Sequence, residues 1–107
     1  MSKAVLSLEG LTRMTHYVAI VEEEEGKAVG VWFPDLPGCI SAGDSLDEAM
    51  TNAAEALALW IDVAKEHGDE VPSPRALTEL KRDPEIAEDI ARYMVALIEH
   101  HPLSQAA

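Results

Sequence analysis

Basic residues and cysteine are both scarce in this sequence. Lys and Arg number 8 against 20 Asp and Glu, a formal net charge of -12. Nucleic-acid binding replaces condensed counterions with Lys and Arg, so a chain this acidic is set against phosphate backbones. The same field attracts and orients a basic protein partner, or serves solubility alone. A single cysteine, Cys39, excludes an internal disulfide. The histidines His16, His67, His100 and His101 form no ligand spacing with it or with each other, so no metal and no cofactor is expected. No apolar run approaches the ~20 residues of a membrane span, and no signal-peptide pattern opens the chain. A cytoplasmic protein without membrane association is the expectation.

What is present fits one α+β domain. The chain has 107 residues, 48% of them hydrophobic, enough for one core and little more. Residues 1–15 read as a loosely ordered N-terminal extension, residues 16–99 as the domain, and residues 100–107 as a tail. Tyr17 to Val21 is rich in β-branched and aromatic residues, and Ala28 to Phe33 alternates with Val29, Val31 and Phe33 on one face. Between them, Glu22 to Glu25 and Gly26 make a charged turn with a glycine suited to positive φ. Pro34 and Pro37 each remove a backbone donor and interrupt the ladder before a third strand, Cys39 to Ala42.

A long helix is expected from Ser45 to about Glu66. Ser45 and Glu48 have capping-box spacing, and Leu46, Ala49, Met50, Ala53, Leu57, Trp60, Ile61 and Ala64 recur at helical period before Gly68 closes it. Beyond Val71-Pro72-Ser73-Pro74, residues Arg75 to Arg82 have room for a helical turn, and Asp83-Pro84 opens a further helix. Periodicity does not separate helix from strand over Tyr93 to Ile98.

The runs Phe33-Pro34-Asp35-Leu36-Pro37-Gly38-Cys39, Gly43-Asp44-Ser45-Leu46-Asp47-Glu48-Ala49 and Asn52-Ala53-Ala54-Glu55-Ala56-Leu57 resemble the HicB antitoxin family. The likeness is good over residues 16–74 and weaker to Ile98. It implies a β-β-β-α-β fold related to a partial ribonuclease H, with Tyr93 to Ile98 as an added strand. It also implies binding to HicA, a small toxin that cleaves messenger RNA, and assembly as a homodimer or larger. Family members commonly continue into a C-terminal DNA-binding domain. This chain ends at Ala107 without a basic stripe, so no direct operator binding is expected.

Glu22, Glu23, Glu24 and Glu25 at the hairpin tip are candidate contacts to a basic toxin, together with Asp35; a solvated turn is the plain alternative. Trp32 is a candidate anchor, since aromatic residues concentrate at interface hot spots, and it suits packing under a helix equally. Trp60, on the apolar stripe, reads as core. Phe33, Pro34, Asp35, Leu36, Pro37, Gly38, Gly43, Asp44, Glu48 and Ala49 carry the resemblance and read mainly as structural. The acid-free strands give no converging carboxylates of the kind a two-metal nuclease needs, so no catalytic residue is expected and a ribonuclease H-like nuclease is the remote alternative. An orphan HicB-like binding module without a toxin is the nearer one.

Overall fold

A computed structural model describes residues 15–102; the expectations for the N-terminal extension, Thr15 excepted, and for the tail beyond residue 102 fall outside them. Strands β1 (His16–Glu22), β2 (Val29–Trp32) and β3 (Ile40–Gly43) form a meander. Helix α1 (Leu46–Glu66) follows, then the short α2 (Leu77–Leu80), α3 (Pro84–Arg92) and a last strand β4 (Met94–Glu99). The sheet is antiparallel throughout in the order β3-β2-β1-β4.

The acidic turn closes the first hairpin with Gly26 at φ +82°, a conformation that costs glycine nothing sterically. Tyr17, Ala19 and Val21 of β1, Val29 and Val31 of β2, and Phe33 join Ala49, Ala53, Leu57 and Ile61 of α1 in one buried core. The seat of the helix is close. A Cβ on Gly43 would come within 2.5 Å of the Ala49 backbone nitrogen, so this position of the family motif admits no side chain.

The N-terminus of α1 is capped as the sequence indicates, with one difference. Ser45 Oγ accepts from the Glu48 backbone N–H at 3.1 Å, while Glu48 Oε1 accepts from the N–H of Asp44 rather than of Ser45, at 2.6 Å. The helix ends at His67, with Gly68 directly after it.

The residues left open between helix and strand divide at Tyr93. Asp83 caps α3 through its side chain and Pro84 stands in the first turn. The helix stops at Arg92, and Met94 to Glu99 pair with β1 from Val21 to His16. Central strand β1 is consequently buried on both faces from Tyr17 to Val21. Its second face, carrying Val18 and Ile20, is overlain by residues 74–80: Pro74, Ala76 and Leu77 border a groove with Val18, and Leu80 is fully buried.

Candidate partner-binding surface

Three surfaces carry the residues of interest, and the sheet register keeps them apart. The hairpin tip projects beyond the Glu22–Gly30 pair, and Glu22 to Glu25 are all exposed. One ion pair, Glu24 Oε2 to Lys27 Nζ at 3.3 Å, is formed there. It is solvent-exposed, and such pairs contribute about 0–1 kcal/mol. The other carboxylates of the tip point into water with no protein donor among the described residues, which leaves them available to a cationic partner.

Asp35 lies at the other end of the sheet, in the loop after β2, and is engaged internally. Its side chain is 7% exposed. Asp35 Oδ2 accepts from the backbone N–H of Arg75 and Oδ1 from Arg75 Nε, both at 2.7 Å. Arg75 Nη1 also donates to Asp83 Oδ2 at 3.1 Å. The two carboxylates raise the guanidinium pKa further. Asp83 is held below the usual carboxylate range, chiefly by the Glu85 N–H it caps and next by Arg75. Asp35 therefore does not join the acidic tip; it clamps the double-proline loop to the layer that begins at Arg75.

That loop is braced from several sides. Leu36 N–H donates to Phe33 O, and Cys39 N–H to Leu36 O. Trp60 Nε1 donates to Pro37 O at 3.1 Å, so Trp60 is half-buried at the rim of the core with its polar end bonded to the loop. Tyr17 stands at the same end of β1, its hydroxyl donating to Pro72 O at 2.6 Å. Burial, then the charge of Asp35, raise its pKa.

Trp32 takes the second face of the sheet, half-buried, with its ring edge-to-face to Tyr93 at 5.4 Å. The Arg92 guanidinium lies 5.4 Å from the Tyr93 ring centroid. The packing alternative for Trp32 thus has a specific partner, the residue that joins α3 to β4.

A fourth surface, beyond the three that carry those residues, was not legible as a site in the sequence. Ile40, Leu59 and Val63 are exposed hydrophobic residues. With Gly38, Cys39, Trp60 and Asp69 they line an open apolar groove of about 440 Å³ between β3 and the second half of α1. Leu59 and Val63 stand four apart on one helix face, a signal that the broader apolar stripe of α1 concealed. At the inner wall, the Cys39 thiol faces Ala56 O at 3.7 Å, and burial pushes its pKa up to about 11. It behaves as a packing group and not as a nucleophile. No group of His, Cys, Asp and Glu with metal-binding geometry occurs among the described residues. No helix among them is long and apolar enough to cross a membrane.

Comparison with known proteins agrees with this architecture. The crystal structure of the Burkholderia pseudomallei antitoxin HicB superposes with a TM-score of 0.67 at 31% identity, over 86% of this chain and 67% of that one. A chain of the HicA3 and HicB3 toxin–antitoxin complex is covered in full, over 82% of this chain, with a TM-score of 0.65 at 26% identity. An uncharacterized 14.9 kDa protein of Haemophilus phage HP1 is 39% identical over 72 residues. Those residues make up 67% of this chain and 53% of the phage protein, so the chain spans about half of that relative's length. The family model for the HicB-like antitoxin of bacterial toxin–antitoxin systems matches residues 17–107. A four-stranded antiparallel sheet bearing one long helix, the double-proline loop braced by Trp60 and Arg75, and this match together make the chain a member of the HicB-like antitoxin family.

Proposed function

We propose that this protein is an antitoxin that binds a HicA-like toxin and silences it by covering its working surface, with no chemistry and no cofactor of its own. The observation that carries this reading is the likeness to a chain of the HicA3 and HicB3 complex, covered over its whole length. The charge balance supports it: a net charge of -12 is suited to a basic partner. In this reading Glu22 to Glu25 meet Lys and Arg side chains of the toxin. Trp32, half-buried against Tyr93, is the candidate anchor on the neighbouring face, and Asp35 serves the contact indirectly by fixing the loop after β2.

The test is co-expression with a small basic HicA-like protein, sought among the gene's neighbours, read by pull-down and by rescue of cell growth. A stable complex and restored growth support an antitoxin; neither would leave an orphan binding module. Replacing Glu22 to Glu25 with lysines reverses the tip, and we expect toxin affinity to fall about tenfold or more. The circular dichroism of the free protein stays unchanged, because the tip makes only the exposed pair with Lys27. Unaltered affinity in a binding titration would remove the tip from the contact.

A further inference from the structure

We infer that the groove on the sheet face opposite α1 is the seat of this chain's own residues 1–14. They fold back from the start of β1 and cover Val18, Val95 and Leu97. The occupant belongs to the same molecule, so the inference stands apart from the antitoxin reading and from any contact with a toxin.

A sheet in a small domain buries both faces only where something is layered on each. One face here is filled by α1, whose Ala49, Ala53, Leu57 and Ile61 join Tyr17, Ala19 and Val21 in the core. The register sets Val18 opposite Leu97 and Ile20 opposite Val95, so these four share the other face. Residues 74–80 cover only part of it. Val18 and Ile20 are buried, whereas Leu97 is 64% exposed and Val95 half-buried. What stays open is a groove of about 620 Å³. His16, Val18, Val95 and Leu97 line it from the sheet, and Pro74 and Leu77 from the layer above. Its lining holds one arginine, Arg75, which Asp35 and Asp83 already neutralise.

The path of the chain points to what fills this groove. The carbonyl of Thr15 accepts from His100 N–H at 2.7 Å, so residues 1–14 join the sheet beside His16, itself part of the groove wall. Leu11 is five positions before His16, a reach of up to about 17 Å. Four strands span about 14 Å from first to last, so the whole face is within range. The groove between β3 and α1 is worse placed. It lies two strands from β1 and towards the covered face, so the segment meets it only by passing round the end of the sheet. Composition agrees: Val5, Leu6, Leu8, Leu11 and Met14 supply the apolar side chains. Lys3 and Arg13 against Glu9 make the segment net positive, the reverse of the chain as a whole. Glu79 in the lining and Glu99, paired with His16, offer carboxylates to those cations. Fourteen residues bury no core of their own, so the segment takes its order from this wall.

Paramagnetic broadening in the isotope-enriched full chain tests this. Cys39 is buried, its thiol pKa pushed up to about 11, so a nitroxide reagent marks the cysteine of Ser7→Cys. Amide signals of Leu77, Val95 and Leu97 should broaden most, and those of Leu59 and Val63 least. Adding Leu8→Ser and Leu11→Ser should abolish the pattern, as should Leu97→Lys, with circular dichroism unchanged because Leu97 lies on the surface. Mixing enriched chain without the label and labelled chain without enrichment should show no broadening. Broadening centred on Leu59 and Val63, or weak and even over the domain, would overturn the proposal. So would a pattern that survives Leu97→Lys, or one that appears in the mixed sample, since the groove would then hold a second copy's segment.

Discussion

Asp35 illustrates how one side chain changes meaning between sequence and structure. In a chain with 20 carboxylates, nothing local distinguishes it from the acids of the hairpin tip. Its partner is Arg75, forty positions away, and a contact of that separation leaves no trace in spacing. Removing the carboxylate strands a backbone N–H and a guanidinium N–H that together hold the loop. Asp35→Ala should therefore cost about 2 kcal/mol in urea unfolding, the range for hydrogen bonds to charged groups. Asp35→Asn should cost less, because its amide oxygen still accepts one of them. Equal stability of Asp35→Ala and wild type would show the clamp to be dispensable. Trp60 is a milder case of the same kind: its helical phase was legible, but the bond from its ring N–H to Pro37 O depends on a loop that only the fold brings near.

At the scale of elements the sequence was more informative, because caps and alternation are local. Ser45 and Glu48 mark the start of α1, and the buried alternation of β2 appears as Val29 and Val31. The segment from Tyr93 to Ile98 was ambiguous for a physical reason. Its apolar residues satisfy either period, and what decides for strand is the free edge of β1, a tertiary opportunity. Gly43 is the element-scale position most sensitive to change. It ends β3 where α1 begins to cross, and an added Cβ would come within 3 Å of three backbone atoms of Glu48 and Ala49. Backbone cannot rotate away as a side chain would, so helix and strand must separate. Gly43→Ala should destabilise the fold by about 2–3 kcal/mol, the upper part of the range for overpacking, measured as a lowered urea midpoint. An unchanged midpoint would mean that α1 shifts freely on the sheet.

Across the whole molecule, acidic residues are spread over tip and helices and are densest at the hairpin tip, at one end of the sheet, while the apolar groove between β3 and α1 has a single carboxylate, Asp69, among its lining residues. Association with a basic partner should therefore respond to salt. If the proposed antitoxin role holds, the field of the tip and the net charge would steer a basic toxin, and the association rate should fall steeply between low and physiological ionic strength. Stopped-flow mixing at several salt concentrations measures this; a rate insensitive to salt would mean that the acidic surface does not guide the encounter. Net charge was readable from composition alone, but its division into separate surfaces was not, since it depends on which strands become edges.

The position of β1 also governs the order in which the molecule can be completed. It is the first strand of the sheet and its most deeply covered, yet its pairing of His16 with Glu99 spans nearly the whole described chain. During synthesis the meander and α1 can assemble early, but one side of β1 stays open until β4 leaves the ribosome. Until then the nascent protein displays an unpaired ladder beside Val18 and Ile20, and the sheet is closed on that side only when β4 arrives.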